Sequence, residues 1–411
     1  MKTALRRILI ALAIVVAIVV VAVAPFLMLT PKAPAPPAGI DTVAALDAYL
    51  ESLVANETPP AIAVTVVKDG VTVYAKAFGA ADATGTPVTP DSVFHFWSVT
   101  KLLTATAVMQ LADAGRIALD DPVTQYLPEF EPLLPSGEPA MVTVRQLLDH
   151  TSGMRDLAPT DLFNWIHHPG DTGGPGERAI VAERMAAYAK LEREPGAAGA
   201  YSNAAYIVLG AVVEAVTGEP YDGYVRTNIL APLGMAHSDF VYRDDMLAAS
   251  ATGTHPLFHV FTPLLLMIHP DWFSEWVTTT TRARMWLQPI YTDYLAPTGL
   301  IGTPGDLARF GQTFLDGGAL DGNRILSEAS VRAMLNDGYG PNTGPDGDRM
   351  GLGWHWFDKE PLPFWGHGGD GPGFRAQLAI FPDQRMVIVV VATDTLADRI
   401  GLTNLVARVF N

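Results

Sequence analysis

The sequence predicts an α+β protein in which one antiparallel sheet is assembled from the two ends of the chain. Near the start, β-rich runs at residues 61–68 and 71–78 flank an Asp-Gly pair that is typical of tight hairpins. Near the end, residues 374–381 and 386–391 flank a Pro-Asp turn and predict a second hairpin. Helical patterns fill the chain between them, so we expect a sheet flanked by helices with a helical domain inserted into it.

Helical segments follow from apolar residues that recur every three or four positions. The first is predicted over residues 42–55, where Val43 and three leucines share one face. The others are predicted from Ser98 to about residue 114, over 207–216 and over 397–410. We expect a folded domain over residues 40–411, with an all-α insertion at about residues 100–295.

One apolar segment, residues 256–276, stands apart from these patterns. Pro263 and Pro270 interrupt it, and it is too short to span a bilayer. The segment belongs either to the core of the insertion or to an apolar lid or interfacial patch beside the functional site, and the sequence leaves both interpretations open.

Residues 1–30 predict a membrane anchor or a signal peptide. Three basic residues precede an apolar run at residues 8–29, which is long enough to span a bilayer. An Ala-Val-Ala sequence resembles a cleavage site, but Pro25 follows it directly, which favours an uncleaved single-pass anchor. Residues 31–39 are rich in proline and predict an extended linker. Because the basic flank stays in the cytoplasm, we expect the folded domain on the periplasmic or extracytoplasmic side of a bacterial cell membrane.

Composition and charge exclude several classes of function. The 411 residues include 27 basic and 43 acidic side chains, with no basic run outside the N-terminus, which excludes nucleic-acid binding. The absence of cysteine excludes disulfides, thiolate metal sites and a cysteine nucleophile. His255 and His259 are four apart, but Pro256 interrupts them and the glutamate of a metal-binding helix is missing. We therefore expect neither a metal nor another cofactor.

Ser98 and Lys101 are candidates for nucleophilic chemistry. Three positions apart on a helix, their side chains share one face. A serine in the first turn feels the positive end of the helix dipole, and a desolvated lysine can act as a base near neutral pH. By itself, the spacing is better explained by an N-capping serine and a surface lysine, so it needs support from elsewhere in the chain.

Tyr201 and Asn203 form a second candidate element, directly before the apolar stretch at residues 207–216. A tyrosine can relay protons, and an asparagine amide can orient a substrate carbonyl. A turn leading into a helix explains the same residues without any function.

A glycine-rich run at residues 365–374 forms the third element. Such a backbone can approach a ligand closely and point N–H groups at it, as an oxyanion hole requires. We expect the run to lead into a strand and to place His367, Gly369 and Asp370 at a substrate-binding site on the edge of the sheet.

The order Ser-x-x-Lys, Tyr-x-Asn, His-x-Gly resembles the serine β-lactamase and penicillin-binding-protein superfamily, most closely its class C-like branch. That branch includes D-alanyl-D-alanine carboxypeptidases, D-aminopeptidases and esterases, and it has the β-lactamase/transpeptidase-like fold. Further segments that look like this branch lie at residues 142–154, 232–235, 299–308 and 351–354. Together they cover the chain from about residue 43 to the C-terminus.

The resemblance implies an acyl-enzyme mechanism. Ser98 would be acylated, with Lys101 and Tyr201 sharing the proton transfers. Asn203 would hold the substrate, and the backbone N–H groups of Ser98 and Asp370 would form the oxyanion hole. Water or another acceptor would then release the acyl group, without a cofactor.

Two departures from the family pattern bear on the substrate. His367 stands where β-lactamases usually carry lysine, and a neutral imidazole attracts a carboxylate less than an ammonium does. Asp370 adds an anion near the proposed oxyanion hole, and its side chain would repel anionic substrates unless it points away.

The sequence thus predicts a membrane-anchored serine hydrolase that acts on an ester, a D-amino-acid amide or a peptide. The alternatives are a β-lactamase or D-alanyl-D-alanine carboxypeptidase and, from another class, a non-catalytic envelope binding protein. The complete set of nucleophile, base and orienting residues favours the enzyme. Substrate identity and oligomeric state stay open.

Overall fold

The computed structural model describes residues 32–37, 39–158, 160–161, 165–168, 174–259, 262, 270–282, 284–336 and 348–411. The predicted anchor or signal at residues 1–30 lies outside these ranges, as do residues 260–261 and 263–269 of the apolar segment. Within the described ranges, no helix combines the length and apolar content needed to cross a bilayer. Where the proline-rich linker meets the body, the Tyr49 hydroxyl donates a hydrogen bond to the Pro34 carbonyl oxygen (3.0 Å).

Helices and strands are distributed along the chain as follows. The strands in the described ranges are β1 (Ala61–Lys68), β2 (Val71–Gly79), β3 (Phe94–His95), β4 (Ile166–His167), β5 (Thr254–Pro256), β6 (Val277–Thr281), β7 (Arg284–Leu287), β8 (Tyr291–Thr292), β9 (Ile301–Gly302), β10 (Ala319–Leu320), β11 (Asn323–Arg324), β12 (Arg349–Met350), β13 (His355–Phe357), β14 (Phe364–Gly371), β15 (Phe374–Phe381) and β16 (Met386–Ala392). The α-helices there are α1 (Val43–Ala55), α2 (Thr100–Asp113), α3 (Val144–Leu148), α4 (Glu177–Arg184), α5 (Ala186–Ala189), α6 (Asn203–Thr217), α7 (Tyr221–Val225), α8 (Asp244–Ala248), α9 (Trp272–Trp276), α10 (Leu295–Thr298), α11 (Pro304–Leu315), α12 (Glu328–Asn336) and α13 (Arg399–Phe410).

A seven-stranded antiparallel sheet forms the centre of the protein, in the order β12-β13-β14-β15-β16-β1-β2. The two ends of the chain meet where β1 pairs with β16, with Val64 opposite Val390. Asp69 and Gly70, between β1 and β2, have φ angles of +51° and +76°, as a type I′ hairpin turn requires. The prediction that both ends of the chain build one antiparallel sheet is therefore confirmed.

The sheet separates two hydrophobic cores, because successive strand residues point to opposite faces. Ile62 and Ile388 face the core shared with α1 and α13. Ala63 and Val389 face a larger core that includes Phe310 of α11 and the helices of the insertion. Strands buried on both sides explain the nearly continuous apolar runs in the sequence.

The predicted helices are present, with ends set by capping residues. The C-terminal helix α13 begins at Arg399 rather than at residue 397, since the Asp398 carboxylate accepts the Gly401 N–H (2.9 Å) and caps it. Helix α6 begins in the same way after Ser202, whose hydroxyl oxygen accepts the Ala205 N–H (3.1 Å).

Two predictions about local structure are wrong. The insertion is not all-α, because β5, β7 and β6 form a three-stranded antiparallel sheet within it. Strand β6 is a run of β-branched residues, which fit a strand better than a helix. The glycine-rich run does not lie on the sheet edge either, since it forms strand β14, which pairs with β13 on one side and β15 on the other.

Candidate active site

Ser98 lies where the sheet meets the insertion. It is the central residue of a 3₁₀ turn, Trp97–Val99, that continues directly into α2. The preceding residue, Trp97, has a φ of +48°, which is rare for a bulky residue, and its indole stacks on the His95 ring at 4.1 Å between centroids. The Trp97 N–H also donates to His95 Nδ1 (3.1 Å). The backbone just before Ser98 is thus held in one conformation.

Lys101 follows one turn later and is 0% exposed. Its Nζ lies 3.1 Å from Ser98 Oγ, 2.7 Å from Asn203 Oδ1 and 3.0 Å from the carbonyl oxygen of Pro297. Burial lowers the pKa of Lys101 to about 7, although the charge of Asp156 acts in the opposite direction. Lys101 therefore holds a substantial fraction of neutral amine at pH 7, as a general base requires.

The partners of Lys101 determine where its lone pair points. The Asn203 Oδ1 and the Pro297 carbonyl oxygen can only accept hydrogen bonds. A neutral amine has two N–H groups and one lone pair. When the N–H groups are directed at these two acceptors, the lone pair faces the Ser98 hydroxyl, and the amine can accept its proton.

Asn203 is held in place by Asp156, a residue to which no sequence pattern pointed. The Asp156 carboxylate accepts the backbone N–H of Asn203 (2.7 Å) and its side-chain Nδ2 (3.2 Å). The Asn203 amide is thereby oriented with its oxygen toward Lys101. The only available signal was that Asp156 follows the family-like segment at residues 142–154 closely in the chain.

Tyr201 lies beside Ser98, and its ring centroid is 4.9 Å from Lys101 Nζ. Burial raises the pKa of Tyr201 well above its usual value of 10, although the neighbouring Ser98 side chain acts in the opposite direction. The phenol is therefore protonated at neutral pH. Of these two groups, Lys101 is suited to accept a proton and Tyr201 to pass one on.

Three buried histidines lie beside Tyr201. His150 packs on the Tyr201 ring with centroids 4.7 Å apart, and the rings of His355 and His367 are 4.4 Å apart. His355 Nδ1 lies 2.5 Å from a carboxylate oxygen of Asp348. Burial lowers the pKa of both His150 and His367 well below 6.5, so both rings are neutral. In the described part of the chain, no group of three or more histidine, aspartate or glutamate side chains is arranged to hold a metal ion.

His367 faces this cluster rather than the solvent. It is 2% exposed, and its Nδ1 donates to the Gly368 carbonyl oxygen (2.7 Å). Its ring centroid lies 6.2 Å from that of Tyr201. The structure therefore places His367 against the candidate proton-transfer residue, with almost no surface that a substrate can contact.

Gly369 brings strand β14 against the turn that carries Ser98. A Cβ at position 369 would lie 1.9 Å from the Phe96 carbonyl oxygen, and one at Gly371 would lie 2.3 Å from the Trp97 ring. Only glycine allows so close an approach. The two residues whose N–H groups were predicted to form an oxyanion hole, Ser98 and Asp370, therefore lie on adjoining segments.

The Asp370 carboxylate is bound by two arginines. Arg399 donates from Nε to Oδ1 (2.8 Å) and from Nη2 to Oδ2 (2.7 Å), and Arg375 forms a second ion pair with Oδ1. Burial favours the protonated acid, but the arginines outweigh it and lower the pKa of Asp370 below its usual value. The Arg399 guanidinium fills the space that a Cβ at Gly368 would occupy (2.2 Å). The charge of Asp370 is thus compensated beside the proposed oxyanion hole.

Comparison with known proteins places the chain in one family. The family model described as Beta-lactamase matches residues 46–409. Penicillin-binding protein 4 of Amycolatopsis lactamdurans is 30% identical over 326 residues, which cover 76% of this chain and 75% of that protein. Esterase EstB of Burkholderia gladioli is 37% identical over 202 residues, which cover 48% of this chain and 51% of the esterase. The solved structure of an octameric penicillin-binding protein homologue from Pyrococcus abyssi has a TM-score of 0.67 at 26% identity, covering 85% of this chain and 73% of that one.

The fold and the family relationship define the class of the protein as a serine hydrolase of the β-lactamase/penicillin-binding-protein type. The chain belongs to the beta-lactamase family, whose model spans the domain from α1 to α13. The predicted relationship to this superfamily is confirmed, and the enzyme is favoured over a non-catalytic binding protein.

Proposed function

We propose that the protein hydrolyses uncharged acyl esters or amides through an acyl-enzyme formed at Ser98. The observation that carries the proposal is the 3.1 Å contact between Lys101 Nζ and Ser98 Oγ. Both other partners of Nζ are obligate acceptors, which leaves the lone pair of the neutral amine for the serine proton. The arrangement supports a lysine base with a pKa near the working pH.

The reaction follows from these contacts. Lys101 takes the Ser98 proton as Oγ forms a bond to the acyl carbon, and the backbone N–H groups of Ser98 and Asp370 stabilise the oxyanion. When the bond to the leaving group breaks, the proton on Lys101 returns to that group through the Tyr201 hydroxyl. Water then attacks the acyl carbon and gives a proton to Lys101. The bond between the acyl carbon and Ser98 Oγ breaks, the carboxylic acid leaves, and Lys101 returns the proton to Oγ. Asn203 orients the substrate as well as the amine.

Charge at the site supports an uncharged substrate. Arg399 and Arg375 are both engaged by Asp370, and His367 is neutral and buried. A substrate carboxylate would therefore find little electrostatic attraction at this site. β-Lactams and D-alanyl-D-alanine peptides carry such a carboxylate, whereas simple esters and amides do not. The likeness to an esterase supports the same choice, whereas the likeness to a penicillin-binding protein supports a D-amino-acid amide or peptide as the second candidate.

The experiment compares the full-length chain, purified in detergent, with its Ser98→Ala variant. We expect the wild type to hydrolyse p-nitrophenyl butyrate and the variant to lose activity by about 10³-fold or more, because the nucleophile is removed. A D-amino-acid p-nitroanilide and a chromogenic β-lactam, assayed in parallel, rank the substrate classes.

Ser136→Ala changes an exposed serine on the surface and serves as the matched control, which should keep full activity. Mass spectrometry after fluorophosphonate treatment should place the adduct on Ser98. Equal ester hydrolysis by the wild type and the Ser98→Ala variant would contradict the assignment.

We also propose that residues 8–29 anchor the protein in a bacterial cell membrane, with the hydrolase domain on the extracytoplasmic side. The support is the length of the apolar run and the basic residues before it. The wild type should stay with membranes after a carbonate wash, and protease added outside spheroplasts should digest its domain. Val16→Arg together with Val20→Arg should release the chain from the membrane fraction. A wild type found in the soluble fraction would argue against the anchor.

A further inference from the structure

A buried carboxyl group holds the backbone that faces Lys101 from the insertion. Pro297, whose carbonyl oxygen accepts a hydrogen bond from Lys101 Nζ (3.0 Å), belongs to the short helix α10. The backbone N–H of Ala296 donates to Glu177 Oε1 (2.6 Å). Glu177 is the first residue of α4 and is 1% exposed. It is therefore linked to Lys101 through a single turn of backbone.

The packing around this turn leaves it little freedom. Gly210 of α6 lies where Glu177 and Ala296 meet, and a Cβ there would be 2.8 Å from Glu177 Cγ and 2.6 Å from Ala296 Cβ. On the other side, the Thr104 hydroxyl donates to the Ala296 carbonyl oxygen (2.5 Å) and contacts the Tyr221 hydroxyl (2.7 Å). Ala296, directly before Pro297, is thus held at its N–H by a carboxyl group and at its carbonyl oxygen by a hydroxyl.

Within the part of the chain that the structure describes, Glu177 makes no ion pair that would explain its burial. Its Oε2 has no hydrogen-bond partner among the described residues, and the charges near it, Glu214 and Asp293, are carboxylates themselves. Burial raises the pKa of Glu177 well above its usual value, and the two carboxylates act in the same direction, so its protonated form is favoured. Burying such a group without a counter-charge is unfavourable for folding, which points to a role other than stability.

We propose that Glu177 is a positioning residue for Lys101. By holding α10, it keeps the Pro297 carbonyl oxygen on Nζ and so keeps the lone pair of the neutral amine directed at Ser98. The inference rests on the proposed function, since it assigns Glu177 a part in activating the nucleophile. Two consequences follow when α10 is released: the lone pair loses its direction, which lowers the rate, and the ammonium form loses an acceptor, which lowers the pKa of Lys101.

The other titratable groups around Lys101 lie on elements other than α4 and α10. The titratable groups that face Lys101 are Asp156, His150, Tyr201, Tyr206 and His367. None of them lies on α4 or α10, so a change at Glu177 leaves them in place. A shift in the pH dependence of a Glu177 variant therefore reports on the Pro297 contact.

The test measures kcat/KM against pH for p-nitrophenyl butyrate with the full-length chain. Glu177→Gln keeps an acceptor oxygen and the shape of the neutral acid, whereas Glu177→Leu removes the acceptor. Glu214→Gln is the matched control, because Glu214 caps α4 by accepting the N–H groups of Glu177 and Arg178. Glu214→Gln thus makes the same chemical change as Glu177→Gln, but at a residue that contacts α4 rather than α10.

We expect Glu177→Gln to keep the wild-type profile. Glu177→Leu should lower the plateau of kcat/KM by about tenfold or more. It should also shift the rising, acidic limb of the plot of kcat/KM against pH to lower pH, by about half a pH unit or more. Glu214→Gln should lower Tm and leave the limb in place. If Glu177→Leu fails to fold, Gly210→Ala, which inserts a methyl group between Glu177 and Ala296, must show the same shift.

Two results would overturn the inference. One is an unshifted limb in Glu177→Leu with a rate loss no greater than that of Glu214→Gln. The other is a Glu177→Gln variant as impaired as Glu177→Leu. A wild type that a fluorophosphonate does not label at Ser98 would overturn the proposed function itself, and that outcome is recognised without any Glu177 variant.

Discussion

Replacing Lys101 by methionine is expected to lower kcat/KM for an ester substrate by about 10³-fold or more, the scale of a lost general base. Methionine has a similar length and volume but has no lone pair that accepts the Ser98 proton. It also leaves two buried acceptors, Asn203 Oδ1 and the Pro297 carbonyl oxygen, without their donor. Steady-state kinetics at several pH values measure the effect. Lys76→Met, on an exposed lysine paired with Asp47, is the matched control and should stay active.

The role of Lys101 also predicts the direction in which activity and stability change with pH. Because the neutral amine is the active form, wild-type kcat/KM should rise with pH through about 7, and Lys101→Met should lose this limb. The folded pKa of Lys101, about 7, lies below its unfolded value of about 10.4, so the unfolded chain binds more protons between these values. This residue therefore makes the folded state more stable as pH rises from about 7 toward 10. A variant that keeps both the limb and the activity would exclude Lys101 as the base.

Replacing Arg399 by methionine is expected to lower kcat/KM by about 100-fold, comparable to the loss of one oxyanion-hole donor. Arg399 is 5% exposed and supplies two of the hydrogen bonds that hold Asp370. Without it, the carboxylate keeps only Arg375 and places less compensated negative charge beside the developing oxyanion. We also expect a lower Tm, because a buried ion pair has lost one partner.

A double-mutant cycle separates charge from packing in the Arg399 prediction. Asp370→Asn combined with Arg399→Met removes both charges and should recover part of the activity lost in Arg399→Met. Arg375→Met, which removes the more exposed arginine, should have a smaller effect. If Arg399→Met lowers Tm while the folded protein keeps wild-type kcat/KM, the ion pair serves stability alone.

Local sequence patterns were sufficient to predict the framework of the protein. The strands at residues 61–68 and 386–392 and the helix at 43–55 were predicted almost to the residue, because alternation, helical spacing and turn chemistry depend on neighbours in the chain. The contact between Ser98 and Lys101 is local in the same sense, since both residues share one helical face. The strand at 277–281 was missed although its β-branched run was visible.

The sequence by itself determined the individual strands, most of the helices and the proximity of Ser98 to Lys101, since each depends on residues close in the chain. Only the tertiary structure decided how that lysine works. One of its two acceptors, the Pro297 carbonyl oxygen, is 196 positions away, and Asp156 lies 47 positions before the asparagine that it orients. The low pKa of Lys101 comes from burial by separate elements, as does the pairing of Asp370 with Arg399. Desolvation and long-range hydrogen bonds depend on which surfaces meet in the folded chain, and no local pattern of residues records that.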